Sequence, residues 1–321
     1  MSWTRRLRLQ HLKWLVSLAE TGSISEAARA CFSTQPALSK WLKDLEESIG
    51  APLFERHARG LNPTAHGLTL LAHARRVLSE MERARHNLDT LQGTSTLRVA
   101  IGTSAASAPN LVPAAIMEFL RRHPMAQVDL EENTMTALLE RLELGQLDLV
   151  VGRLDSYVPS HTLRSARLYD EKMRIVCRAD HPLTQRTGLT WDDLYNVNWI
   201  LWPTTSPIRS KLDMALAHAG RPPLPCRIES SSLVGNLWLL QYSDLLSVAS
   251  ERVAEHFALR GLLVSLDFEL DATGSLGMCW RDEPFTDVAL PDLMASLRHA
   301  AGCQPGRLNS FLTTETRKGR N

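Results

Sequence analysis

The chain has 321 residues, 44% of them apolar and 22% charged, with a formal net charge of +1. That length exceeds a usual single domain and predicts two or three folding units, while the composition excludes a chain too polar to fold. No run of about 18 apolar residues is present to span a membrane, and the Arg5-Arg6 pair leads into no apolar stretch of signal-peptide length before Gln10, His11 and Lys13.

The five cysteines, Cys31, Cys177, Cys226, Cys279 and Cys303, are odd in number, scattered and without a CxxC pair. They predict neither a disulfide framework nor a zinc site, and a reduced, cytoplasmic protein is the expectation. Charge is uneven along the chain. Up to Gly93 there are thirteen Lys/Arg against nine Asp/Glu, and beyond it 23 against 26. A modestly basic first part points weakly toward a polyanionic partner.

Leu9, Leu12, Leu15, Val16 and Ala19 recur at three- and four-residue spacing and predict a first helix stopped by Gly22. Ser23-Ile-Ser-Glu26 has the form of a capping box that opens a second helix, on which Ala27 and Ala28 leave room for a close neighbour. Thr34 can cap a third helix, with Pro36 tolerated in its first turn, Leu38, Leu42, Leu45 and Ile49 as its buried stripe and Gly50 as its end. The opposite face carries Gln35, Ser39 and Lys43 at four-residue steps, with Thr34, Pro36 and Lys40 beside them. Hydrogen-bonding groups followed by cations suit entry into the major groove, where a Gln amide pairs with adenine and a lysine reaches phosphate or guanine. An ordinary solvated helix face has the same composition. Context favours the groove: Pro52-Leu-Phe-Glu-Arg56 and Leu61-Asn62-Pro63 predict two short strands of a wing around His57-Ala-Arg59-Gly60, placing Arg56 and Arg59 near the phosphate backbone.

Ala27-Ala28, Thr34-Gln-Pro-Ala-Leu-Ser39, Leu45-Glu46, Gly50, Leu53-Phe-Glu-Arg56 and Pro63-Thr-Ala-His-Gly67 together resemble the signature of LysR-type transcriptional regulators. Cys31 and Ser33 depart from it where the family usually has aliphatic residues, and Thr34 stands for its common serine. The resemblance implies a winged helix-turn-helix over residues 1–64, a linker helix and hinge over 65–93, and an effector domain over 94–321. That domain would be a two-lobed α/β fold like the periplasmic binding proteins, with lobe 1 near 94–164 and 275–302, lobe 2 near 165–270 and a loose tail over 303–321.

Within the linker, Thr64 can cap a helix running to about Leu91, on which Leu71, Ala74, Leu78, Met81 and Leu88 make an apolar seam. Periodicity leaves open whether this seam packs on its own domain or on a second copy. The resemblance implies pairing: a homodimer, or a homotetramer, on the interrupted inverted repeats of a promoter or operator duplex, with RNA polymerase as a further partner. Gly93-Thr-Ser-Thr96 reads as the hinge.

From Leu97 onward strand-like runs alternate with amphipathic helices: strands at Leu97–Ile101, Val128–Glu132 and Leu147–Gly152, helices at Leu111–Arg122 and Thr136–Leu144. This is the pattern of a largely parallel α/β sheet. Gly145-Gln-Leu-Asp-Leu149 and Ala179-Asp-His-Pro-Leu183 resemble the family's effector domain. The implied chain crossings between lobes fall near Leu163–Tyr169 and Asp267–Met278. In such a fold a ligand sits where strand ends meet helix starts. Three candidate segments bring hydroxyls there: Thr103-Ser104, Thr134-Met-Thr136, and Thr205-Ser206 within Thr204-Thr-Ser-Pro207. Free N–H groups beside hydroxyls suit an anion, so a small organic carboxylate is the expected effector, although each hydroxyl could equally be an ordinary cap. Arg153, after the third strand, could meet a carboxylate but reads more readily as a solvated arginine.

Enzymatic function finds little support. Gly102-Thr-Ser104-Ala-Ala106 lacks the second glycine of a nucleophile elbow, and no dinucleotide or phosphate loop and no metal or acid–base cluster stands out. No cofactor is expected. Cysteine oxidation is the alternative trigger, with Cys177 in the apolar run Met173–Cys177 and Cys226 in a loop. A free-standing solute-binding protein conflicts with the DNA-binding motif.

Overall fold

The computed structural model describes residues 3–57, 60–92, 96–155, 162–283 and 288–303. It comprises two compact units, Met1–Ser95 with Glu143–Gln146, and Thr96–Leu142 with Leu147–Asn321. Residues 58–59, the hinge residues 93–95 and the tail from 304 lie outside the described residues.

The first unit is α1 (Leu9–Thr21), α2 (Ile24–Ala30), α3 (Gln35–Ile49), the hairpin strands β1 (Phe54–His57) and β2 (Gly60–Pro63), and α4 (Ala65–Leu91). Local chemistry sets its boundaries. Gly22 and Gly50 end α1 and α3 at φ 62° and 83°, the left-handed conformation that glycine adopts without a Cβ penalty. The Ser23 and Thr34 hydroxyls accept from the N–H of Glu26 and Ala37, both at 3.4 Å, at the starts of α2 and α3. Leu12, Leu15, Leu18, Leu38, Leu42 and Leu45 bury one face of each helix around Ala27 and Ala28.

Along α4 the expected seam divides. Leu71 and Ala74 are buried in the winged core and Leu78 packs against it, whereas Met81 and Leu88 are exposed. At about 100° per residue, Val77, Met81 and Leu88 share a stripe some 40° wide that adjoins the Leu71–Ala74–Leu78 line, with its centre turned about 70° from it. One apolar stripe thus completes the winged domain and a second is left to solvent in the single chain.

The second unit runs β3 (Arg98–Thr103), α5 (Leu111–Arg122), β4 (Gln127–Glu132), α6 (Met135–Glu143), β5 (Leu149–Arg153), β6 (Leu163–Cys177), α7 (Trp191–Tyr195), β7 (Trp199–Leu201), α8 (Pro207–His218), β8 (Cys226–Glu229), α9 (Leu233–Gln241), β9 (Ser247–Ser250), α10 (Glu251–Ala258), β10 (Val264–Ser265), β11 (Thr273–Arg281) and α11 (Ala289–Gly302). The main sheet has the order β4-β3-β5-β11-β6-β10, with β9 also paired to β6, and β7–β8 form a separate pair. β3 is parallel to β4 and β5, while the long β6 and β11 run antiparallel to each other.

These two strands join the lobes. β6 pairs with β11 up to Lys172 and with β9 from Met173, so the outward crossing lies a few residues beyond the 163–169 expected. The reason is that β6 continues unbroken through both lobes instead of ending at the first. The return crossing, at the start of β11, lies within the expected segment. Lobe 1 buries Ile101, Phe119, Leu149, Val151 and Leu293 under α5 and α11. Lobe 2 buries Trp199, Ile175, Leu212 and Leu246.

Candidate functional site

In the first unit α3 presents Thr34, Gln35, Pro36, Lys40 and Lys43 to solvent and Ser39 half-buried. Lys43 Nζ lies 3.7 Å from Glu47 on its own helix, a weak exposed pair. On β1 Phe54 is buried and Arg56 exposed; Arg59 lies outside the described residues. The hairpin is held at its base by Glu46 and by Thr64, the residue expected to cap the linker helix. Glu46 Oε1 accepts from the N–H groups of Leu53 at 2.7 Å and Phe54 at 3.1 Å. Thr64 donates its hydroxyl to Pro52 O at 2.7 Å and accepts from the Gly67 N–H at 3.1 Å. Gly67 is required by space, since a Cβ there would lie 2.0 Å from Leu53 O. These bonds tie the hairpin to α3 and to the start of α4, with a carboxylate of α3 accepting from the backbone at the hairpin's base.

In the second unit a cavity of about 580 Å³ is bordered by Ser104, Thr134, Thr136, Thr205 and Ser206, five of the six hydroxyl residues selected from the sequence. Thr103 is not among its lining residues. Its side chain is fully buried with Oγ1 2.9 Å from Ser107 Oγ, because successive strand residues point to opposite faces and Ser104 takes the cavity side. The hydroxyls are not equivalent. Ser206 caps α8, accepting from the Arg209 N–H at 3.4 Å while donating to Pro203 O at 2.8 Å. Thr134 accepts from the Ala137 N–H at 3.4 Å at the start of α6. Ser104 Oγ is buried without a hydrogen-bond partner among the described residues. Gly152 leaves space beside it, since a Cβ there would lie 2.7 Å from Ser104 Oγ.

Sequence reasoning missed two further features of the cavity. Trp202 lines it with its ring fixed by a 3.0 Å hydrogen bond from Nε1 to Val248 O. Arg153 lines it as well, and is not the solvated arginine expected: its side chain is 5% exposed and Nη2 donates to Glu171 Oε1 at 3.1 Å. The carboxylate that permits this burial arrives from β6, eighteen residues on. Burial pushes the Glu171 carboxyl above its ordinary range, against the pull of Arg153 and of the hydrogen bond from the Arg252 N–H. Burial also pushes the Cys177 and Cys279 thiols up to about 12, which leaves both almost wholly protonated at neutral pH and poor nucleophiles. Cys226 is exposed.

The geometry is that of a winged helix-turn-helix joined to a ligand-binding α/β unit, and comparison with known proteins agrees. Residues 9–68 match the bacterial regulatory helix-turn-helix proteins of the lysR family, and residues 92–302 match the LysR substrate binding domain. The transcriptional regulator GbpR of Azospirillum brasilense is 35% identical over 300 residues, covering 92% of this chain and 87% of that protein. PcaQ of Agrobacterium fabrum (strain C58), also a transcriptional regulator, is 30% identical over 299 residues, covering 93% and 96%. The crystal structure of full-length CbnR complexed with its target DNA superimposes with a TM-score of 0.68 at 20% identity, covering 92% of this chain and all of that one, which shows the fold. The chain belongs to the LysR family of bacterial transcriptional regulators, DNA-binding proteins with an effector-binding domain. Among the described residues no helix is long and apolar enough to cross a membrane.

Proposed function

We infer that this regulator reads a promoter or operator duplex through α3 and is switched by a small organic carboxylate held in the cavity. On the DNA side, Gln35 and Ser39 meet base edges, Thr34 and Pro36 seat the helix start, and Lys40, Lys43, Arg56 and Arg59 meet phosphates. A single winged domain offers little groove contact, so the working species is a homodimer, with a homotetramer as its higher assembly. The exposed Val77–Met81–Leu88 stripe of α4 pairs with a second copy, which matches a two-fold protein to an inverted repeat.

The observation that carries the effector reading is the convergence on one cavity of hydroxyls from the end of β3, where Ser104 precedes a turn and not the helix start expected, and from the starts of α6 and α8. Those starts offer donors and positive dipole ends to an anion. Titration calorimetry after a thermal-shift screen of small organic acids tests it. Ser104→Ala should weaken binding of the acid that scores by roughly tenfold to a hundredfold and leave effector-free operator binding unchanged. Unchanged affinity in both Ser104→Ala and Thr134→Ala removes the hydroxyls from the site.

A further inference from the structure

The two lobes of the second unit are joined by β6 and β11, and a junction of two strands bends by small changes of φ and ψ at a few residues. Whatever holds the lobes at one angle must therefore act from outside those strands. Arg252, the second residue of α10, is placed to do so. It belongs to lobe 2, where its neighbours Val253 and Ala254 are buried with Val176, Leu237 and Leu240. Its polar groups nevertheless reach lobe 1. Nη2 donates to Ala301 O at 2.8 Å and Nη1 to Cys303 O at 3.2 Å, at the end of α11, where unpaired carbonyls and the negative end of the helix dipole favour a cation. Its own carbonyl accepts from Asn110 Nδ2 at 3.1 Å at the start of α5. Both α5 and α11 cover the core of lobe 1.

The same residue grips the crossing itself. Its N–H donates to Glu171 Oε2 at 3.3 Å, one residue before Lys172, the last residue that β6 pairs with β11, while Ser250 is paired with Met173, the first that β6 pairs with β9. The guanidinium carbon lies 3.8 Å from the centre of the Tyr169 ring on β6, a cation–π contact. Tyr169 Oη is buried without a hydrogen-bond partner among the described residues, so the ring is held there for its face and not for its hydroxyl. An arginine suits this position because its planar fork reaches two carbonyls while its face rests on an aromatic ring, which a lysine cannot do. Any change of the angle between the lobes moves α10 relative to α5 and α11 and breaks these contacts together.

We propose that Arg252 is an interlobe strap: it fixes the angle between the lobes by tying α10 to the ends of α5 and α11 and to β6 beside the crossing, and the lobes move only when it lets go. Ser250 and Val253, on either side of it in sequence, line the cavity, so the part of the wall that lobe 2 contributes there is held in place by the same bonds. Nothing in this arrangement depends on what the cavity holds.

The test is hydrogen exchange of the full chain, since the exchange of a protected amide reports how often its bond opens. The Met173 N–H, which donates to Ala272 O at 2.9 Å beside the crossing, is the reporter. The Gln127 N–H on Leu97 O in lobe 1 and the Ile200 N–H on Leu246 O in lobe 2 are the controls. Arg252→Met should speed exchange at Met173 by about tenfold or more, the worth of a hydrogen bond to a charged group, and leave both controls at the parent rate. Arg252→Lys keeps the charge without the fork and should remain severalfold faster than the parent. Asn110→Asp keeps the oxygen that accepts from the Leu111 N–H but loses the donor to Arg252 O; it too should speed Met173, and it decides the question if Arg252→Met does not fold. Tyr169→Phe should exchange as the parent does, and faster exchange there would overturn the part assigned to the ring face. Parent rates at Met173 in the folded Arg252 and Asn110 variants would overturn the strap. Equal acceleration at Met173 and at both controls would reduce Arg252 to a contributor to overall stability and overturn it as well.

Discussion

Glu46 offers a direct test of whether the hairpin is oriented by α3. Its Oε1 accepts from the N–H groups of Leu53 and Phe54 at 2.7 and 3.1 Å, and these residues are 1% and 6% exposed, so water cannot easily replace the carboxylate. Glu46→Ala leaves two backbone donors without an acceptor, at roughly 1–3 kcal/mol each, for a total of about 3 kcal/mol. In a unit of this size each kcal/mol lowers the midpoint by about 4–8 °C, so the winged unit should melt at least ~12 °C earlier. Glu46→Gln keeps one acceptor oxygen and loses only the charge assistance, for about 1 kcal/mol. Calorimetry resolves the transition of the first unit, and hydrogen exchange at the Leu53 and Phe54 amides reports the bonds themselves. If the hairpin meets phosphates as proposed, both variants should also weaken specific and scrambled duplexes in parallel. A Glu46→Ala protein that melts within about 2 °C of the parent, or retains full protection at both amides, refutes the reasoning.

Three further outcomes are expected. Gln35→Ala should relax base preference, whereas Arg56→Ala should weaken specific and non-specific duplexes alike and lower the salt slope by about one; equal discrimination by Gln35→Ala and the parent removes that residue from base readout. Val77→Glu with Met81→Glu should dissociate the dimer in light scattering without lowering the melting point, because both are exposed in the single chain, while Leu71→Ala, at a fully buried site, should cost about 2–5 kcal/mol. Thiol titration of the native protein near neutral pH should label exposed Cys226 first and reach Cys177 and Cys279 only on unfolding, since their thiols are pushed up to about 12; rapid native labelling of either would revive an oxidant trigger.

What was legible in the sequence and what was not separate by the range of the interactions involved. Gly22, Ser23, Thr34 and Gly50 act within one helical turn, and the boundaries they predict are those found. The choice between Thr103 and Ser104 depends on where β3 ends, because a shift of one residue exchanges the two faces of a strand. The α4 seam was ambiguous for a similar reason: Leu78 and Met81 are three residues apart, which suits a single stripe, yet the partners that divide them belong to α1 and the winged core. Glu46 was visible as part of the Leu45-Glu46 pair, but its acceptor role depends on two N–H groups seven and eight residues later, across a turn.

Arg153 shows why charged residues are the least legible of all. An arginine at the end of a strand is solvated unless a carboxylate reaches it, and here the carboxylate comes from Glu171 on β6, whose own ionisation is opposed by burial. Neither residue could be buried with the other removed, since a lone charge in such a place costs several kcal/mol. The pair is therefore decided jointly, by strand order, and no local pattern announces it. A buried pair of this kind is weak evidence for stability, because well-packed apolar residues of similar volume would serve as well or better.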